Sequence, residues 1–409
     1  MKRRVVVTGL GCVSGLGQDA DETWRRIAVG DGAIRELTLP RGDDTIALTV
    51  RGPAAPIDCL HTGRIEARFA TRAIGKLDPL ARFAIAAATE AVEQAKLFGS
   101  PVLDERTSIL LGCGSGGNAT FEIGYRRLFE HGIGKAHPQT IPNGMISAPA
   151  SQIAMLLGIH GPAMVLSSAC ASSAHAIGEA MHMIRAGRVD VSIAGGAEAC
   201  LTLGSWMAWH SLGAMATDTC RPFSIDRQGL VLGEGAAMLV LEEREHAVAR
   251  GAAILAELIG YGSSSDARHI TTPDRAGIER AIRAAHADAE LPLDAPILIS
   301  SHGTGTRLND ATEAAALQAV YGPALAANTV IATKSAHGHL IGASGALEFL
   351  IGLIALQKGL APPIINHLAT DPACALPLAL SAQAIDHKHL VSNSFAFGGL
   401  NAVLIGRVA

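Results

Sequence analysis

Charge is scarce in this chain. Asp, Glu, Lys and Arg make up 17% of its 409 residues, and the formal net charge is only −4. That balance offers no footing for nucleic acid or for an anionic membrane surface. The seven cysteines (Cys12, Cys59, Cys113, Cys170, Cys200, Cys220 and Cys374) are odd in number and widely spaced, with no Cys-x-x-Cys pair. That pattern speaks against a disulfide framework or a zinc ribbon, and a reducing cytoplasm is expected. Long apolar runs are missing as well: residues 5–7 give way to Thr8, Gly9, Gly11 and Ser14, and residues 347–356 carry Glu348. Both fall short of the roughly 20 residues needed to cross a bilayer, so a soluble chain without a membrane span is expected. No low-complexity linker divides the sequence.

What is present is 49% hydrophobic residues and 45 glycines, the signature of a compact, well-buried α/β protein. At 409 residues the chain exceeds one ordinary core, so it is read as two domains or one large duplicated unit. An apolar strand over 163–166 leads through small residues to Cys170. Then Ala174, Ile177, Ala180 and Met181 recur at helical spacing. Cys170 thus sits where a strand becomes a helix. Unpaired N–H groups and the positive helix end there favour an anion, which predicts a thiol that ionises easily. The alternative at this point is a buried cysteine packed as a small hydrophobe.

Elsewhere, residues 4–8 read as a strand followed by a glycine turn, Gly9 to Gly15. This imitates a dinucleotide fingerprint, but its third glycine falls one place late and no acidic ribose partner follows. Arg64, Arg68, Arg72 and Lys76 recur every four residues and form a basic ridge if helical, either a solvated face or a dock. A helix over 80–95, a strand over 108–111 and the Cys170 unit have counterparts in a helix over 278–285, a strand over 297–299, and a strand at 330–332 with its following helix. This order predicts a duplicated α/β unit with halves 1–250 and 251–409. Cys170, His302 and Lys334 then each lie just past the C-terminal end of a strand, where open α/β sheets keep their ligand crevice.

Five motifs stand in order: Ser-Ala-Cys170-Ala, Ser-His302-Gly-Thr304-Gly-Thr306, Thr-Lys334-Ser, Gly-His339-Leu-Ile-Gly-Ala and Asn-Ser-Phe395-Ala-Phe397-Gly-Gly. Together they resemble the elongating β-ketoacyl-acyl carrier protein synthases of the thiolase superfamily, nearly end to end, and raise the question of a specialised nodulation- or polyene-type member. The resemblance implies an α/β thiolase-like duplicated fold, layered α-β-α-β-α with two mixed sheets. It implies that Cys170 takes an acyl chain, that the N–H groups of Cys170 and Phe397 form the oxyanion hole, and that His302 and His339 hold the enolate left when malonyl thioester loses carbon dioxide. Lys334 and Glu348 match a polar cluster beside the histidines, with a structural ion pair as the competing account. Thr304 and Thr306 match residues that hold the phosphopantetheine arm, and Phe395 is grouped with them as substrate-binding. The Phe397 ring matches the gate of the acyl site, with plain core packing as its alternative.

The resemblance also implies that no cofactor is required, phosphopantetheine arriving on an acyl carrier protein. An acidic carrier would find its dock in Arg64, Arg68, Arg72 and Lys76, with Arg126 and Arg127 as further candidates. A homodimer through the strand leading to Cys170 is implied, with a heterodimer as the alternative. Two departures matter. Arg307 stands where many relatives carry proline, and Ser115 and Thr140 replace bulky apolar residues, which suggests a wider or more polar acyl tunnel and a specialised, unsaturated chain. Two other classes compete: a zinc hydrolase using Cys170, His302, His337 and His339, and a silent scaffold subunit. The intact nucleophile and donors argue against the scaffold. A degradative thiolase would need a second catalytic cysteine, and Cys374 stands alone.

Overall fold

The computed structural model describes residues 3–40, 49–69 and 74–408. Its first half runs β1 (Val5–Ser14), α1 (Pro79–Gln94), β2 (Thr107–Gly112), α2 (Asn118–Phe129), β3 (Ala163–Leu166), α3 (Ser172–Arg185), β4 (Val191–Glu198), α4 (Leu203–Ser211) and β5 (Gly235–Glu243). The second runs β6 (Ala256–Ser265), α5 (Arg275–Ala289), β7 (Ile297–Ser300), α6 (Arg307–Tyr321), β8 (Thr329–Ile331), α7 (Ser344–Lys358), β9 (His389–Ala396) and β10 (Leu400–Arg407). The strands lie in the order β8-β7-β9-β10-β6-β1-β5-β4-β2-β3. Counted outward from the middle, β1-β5-β4-β2-β3 is matched by β6-β10-β9-β7-β8, a duplicated topology. In each half the pairings are parallel at the outer edge and antiparallel toward the seam. Val5–Val7 of β1 pairs antiparallel with Ala256–Leu258 of β6, so the two mixed sheets meet edge to edge in one ten-stranded ladder. A separate three-stranded sheet is formed by Arg35–Leu39, Val50–Ala55 and Leu232–Gly233.

The core sits between the inner faces of the two halves, where α3 and α7 pack together with side chains from both. In α7 every residue except Gln357 and Lys358 is buried. A helix apolar on all sides belongs in a core, and the 341–358 stretch is accordingly 89% buried in the fold. Truncating Phe349, wholly buried there, would cost about 3–5 kcal/mol. The outer faces are covered by α1 on the first half and by α5 and α6 on the second. The layers therefore run α-β-α-β-α.

Two local expectations fail. No turn follows residue 8, because β1 continues through Gly9 and Gly11 to Ser14. Helix α1 lies so close that a Cβ at Gly9 would stand 2.0 Å from the Ala91 carbonyl oxygen, and one at Gly11 2.1 Å from that of Ala87. These glycines permit close approach of strand and helix. Nor does one helix carry the basic ridge. Gly63–Glu66 is a single helical turn, Ile74–Lys76 a 3-10 turn, and Arg72 lies outside the described residues.

Candidate active site

Cys170 lies between β3 and the first turn of α3, and the chain reaches it through Ala169 at φ +49°. A non-glycine residue there stores strain of about 1–3 kcal/mol, which persists only where the surroundings fix it. Here the Ser168 N–H donates to Ser172 Oγ (2.9 Å), and that hydroxyl donates to the Ala169 carbonyl (2.6 Å). The sulfur is buried, with the N–H groups of Phe397 and of Cys170 itself directed at it. Both expected oxyanion donors thus converge on Sγ. The easily ionised thiol does not follow, however. Burial pushes it up to about 11, against the opposing pull of Lys334 and the two N–H groups. Loss of solvent outweighs the helix end.

His339 Nε2 lies 3.0 Å from Sγ, and its Nδ1 lies 2.8 Å from Ser344 Oγ. That hydroxyl can donate or accept, so either neutral tautomer of His339 is satisfied. His302 stands edge-on to His339, their ring centroids 5.5 Å apart. Lys334 Nζ sits 3.3 Å from His302 Nδ1, donates to the His302 carbonyl (2.6 Å) and pairs with Glu348. With its Nδ1 accepting from the ammonium, His302 presents Nε2–H to the cavity. Burial, then the Lys334 charge, hold both imidazoles well below the usual histidine range, so both stay neutral at physiological pH. Burial likewise pushes Glu348 up to about 7, against the pull of Lys334.

Several supports escaped the reading of the sequence. Glu313, wholly buried in α6, accepts from the N–H groups of His302 (2.7 Å) and Gly303 (2.9 Å). Asp310 accepts from Gly305 (3.2 Å) and Phe223 (2.8 Å). Glu198 at the end of β4 accepts from Gly114 (2.7 Å), Gly342 (3.0 Å) and Ser115 Oγ (2.5 Å). Trp209 on α4 stacks on the half-buried Phe397 ring, centroids 6.0 Å apart. Gly398 and Gly399 follow at φ +84° and +69°, the conformational freedom that a turning gate requires. Asp310 and Glu313 were invisible because an Asp or Glu in a helix normally marks its solvated face. The legible signal for Asp310 and Glu313 was position, on the helix that begins five residues after His302.

A cavity of about 330 Å³ opens from Cys170, His302 and His339 past Phe395, Phe397, Thr304 and Thr306 to a rim containing Arg307. Ser115 and Thr140 line no part of it. Ser115 is exposed beside Glu198, and Thr140 belongs to a separate cleft with Lys76, Arg127 and Lys135. The match of these two positions to the acyl-tail positions implied by the resemblance does not put them in the wall of this cavity. The two described ridge arginines are also committed elsewhere: Arg64 lies 3.5–3.7 Å from Asp19, Glu90 and Glu93, and Arg68 pairs with Glu93 (2.8 Å) and covers the Phe98 ring.

The donor atoms of Cys170, His302 and His339 lie within 4.8 Å of one another, close enough to share a metal ion. His337 does not join them, its nitrogens meeting the Gly338 carbonyl (2.7 Å) and Thr333 Oγ1 (2.9 Å). Metal-bound histidines hand their second nitrogen to an acceptor. His302 instead faces an ammonium, whose charge opposes a dication. Set together, these groups suit acyl transfer to sulfur and stabilisation of a developing oxyanion.

Comparison with known proteins gives the same class. Residues 2–247 match the model "Beta-ketoacyl synthase, N-terminal domain" and residues 255–367 match "Beta-ketoacyl synthase, C-terminal domain". Nodulation protein E of Rhizobium leguminosarum bv. trifolii is 41% identical over 410 residues, covering 100% of both chains. The 3-oxoacyl-[acyl-carrier-protein] synthase 2 of Staphylococcus aureus (strain COL) is 35% identical over 412 residues, covering 98% of each. Among solved structures, the ishigamide ketosynthase/chain length factor superposes with a TM-score of 0.92 at 34% identity, covering 100% of both chains.

Proposed function

The chain belongs to the β-ketoacyl synthase family, and from that premise we propose how its residues divide a decarboxylating condensation with malonyl-acyl carrier protein. The enzyme is an acyltransferase that elongates an acyl chain and yields 3-oxoacyl-acyl carrier protein. The observation that carries the reading is His339 Nε2 at 3.0 Å from a buried Cys170 sulfur, with His302 beside it. In the first step Cys170 Sγ attacks the acyl thioester. His339 takes the thiol proton and returns it to the departing carrier sulfur, while the N–H groups of Cys170 and Phe397 hold the carbonyl oxygen. In the second, the malonyl carboxylate leaves as carbon dioxide. The enolate oxygen then accepts N–H bonds from His302 and His339. The new carbon–carbon bond forms as the Cys170 thioester breaks, and the sulfur is reprotonated through His339 from solvent. Keeping both imidazoles neutral makes them hydrogen-bond donors that do not quench the carbanion by proton transfer. Lys334 polarises His302, and Glu348 balances its charge. This cycle requires no cofactor beyond the phosphopantetheine that the carrier brings.

The carrier protein docks, in this reading, on the cleft of Lys76, Arg127 and Lys135, whose wall contains no carboxylate. That surface suits an acidic partner better than Arg64 and Arg68, already paired within the chain. A homodimer is supported by the unpaired outer edge of β3, where Ala163 and Met164 are exposed, and by α2, which buries none of its residues in the monomer. The name of the ishigamide relative keeps a ketosynthase/chain length factor heterodimer as the alternative. Seven free cysteines fit a reducing cytoplasm. The test is to supply acyl-carrier and malonyl-carrier with carboxyl-labelled malonate. Release of label matched by 3-oxoacyl-carrier supports the reading, and release without a new carbon–carbon bond contradicts it.

A further inference from the structure

We propose that Arg307 binds the phosphodiester of the carrier's phosphopantetheine arm at the mouth of the Cys170 cavity. This rests on the reading of that cavity as the arm's channel. Among the described residues lining it, Arg307 is the only Lys or Arg, and there is no Asp or Glu. An anion drawn into the mouth therefore meets one fixed positive charge and no repelling carboxylate.

Placement along the chain supports the assignment. Arg307 stands five residues after His302, at most about 17 Å of extended backbone. Between them Thr304 and Thr306 line the same wall, their hydroxyl oxygens 2.9 Å apart. The segment thus presents, in order, an imidazole where the thioester reacts, hydroxyls for the amides of the arm, and a guanidinium where its phosphate arrives.

The base of Arg307 is fixed while its head is free. Buried Arg227 donates to the Thr306 carbonyl (3.3 Å) and the Arg307 carbonyl (3.2 Å), pinning the backbone. The Arg307 guanidinium is exposed and makes no hydrogen bond or ion pair among the described residues. Asp371 feels its charge, but that carboxylate is committed to Arg227 Nη1 (2.6 Å) and the Ala373 N–H (2.9 Å). A planar guanidinium can offer phosphate two parallel N–H donors.

The experiment compares acyl-4′-phosphopantetheine with acyl-pantetheine, identical except for the phosphate, as donors to Cys170. The ratio of their kcat/KM values should fall about 5- to 20-fold in Arg307→Gln at low salt, mostly through KM, and recover partly in Arg307→Lys. The difference should shrink at high ionic strength, because the site is exposed. An unchanged ratio overturns the proposal, whether or not both rates drop together. If Arg307→Gln weakens only malonyl thioesters, phosphorylated or not, the group held is the malonyl carboxylate and the proposal also falls. A wild-type enzyme acylated by neither donor would overturn the reading of Cys170 itself, and this inference with it.

Discussion

After β3 the first half of the molecule places Cys170 at the start of α3. After β8, its counterpart, the second half places Lys334. After β2 comes the Gly114–Ser115 turn, and after β7 the His302–Gly303 turn. In both, a buried glutamate accepts two consecutive backbone N–H groups, Glu198 in one and Glu313 in the other. The scaffold repeats, down to the way its turns are pinned, whereas the side chains at the turn tips have diverged. Ser115 is exposed, while His302 is 2% exposed beside the sulfur. In the proposed cycle one half supplies the nucleophile and the other supplies the donors.

The sharpest break in that division is Cys170→Ala, expected to lower condensation by at least about 10³-fold with the fold intact, as product formation and circular dichroism would show. In the donor half, His302→Ala and His339→Ala should each cost about 10²–10³-fold in condensation. They should differ in the first step. His339 touches the sulfur, so its loss slows acylation, whereas His302→Ala acylates normally and accumulates acyl-enzyme. Equal acylation defects would dissolve the distinction.

Lys334→Met leaves Glu348 buried without its partner, at a cost of about 3–5 kcal/mol in denaturant titration. Adding Glu348→Gln should return part of that loss. A single variant as stable as the wild type would show the pair to be dispensable.

Smallest is the pH effect. His302 and His339 are held well below their usual range and His337 down to about 3, so each contributes stability above 6.5 that is lost as pH falls and the unfolded chain takes up protons. Glu90, Glu313 and Glu348, raised to about 7 from 4.5, act oppositely: their contribution is lost as pH rises from 4.5 through 7. The melting temperature should be nearly level between pH 4.5 and 6.5 and fall steeply below 4.5, where the histidine effect is no longer opposed and carboxylates held low by arginines, such as Asp190 at about 2, add to it. A maximal slope above pH 5 would contradict the opposition (the acids then carry less than the histidines).

How much of this was legible follows from what each residue must do. In the proposed cycle Cys170, His302 and His339 act with their own atoms, Cys170 in a turn of small residues and the histidines beside glycines, so motif and spacing reveal them. The duplication was legible because strand and helix types recur in the same order. Glu313 and Asp310 act by holding backbone, which any acid of suitable reach can do. The four-residue spacing of Arg64 to Lys76 suited a helix that the chain does not continue past Glu66. Gly9 and Gly11 spelled a turn but served the approach of α1. The thiol was misjudged because a helix end is visible in sequence and burial is not.

The central claim, a first-half nucleophile served by second-half donors, is tested most directly by peptide mass spectrometry after incubation with acyl-carrier protein alone. The account predicts the acyl mass on the Cys170 peptide in the wild type and its persistence in His302→Ala after malonyl-carrier is added. An acyl group on any other cysteine, or none at Cys170 in the wild type, would contradict it.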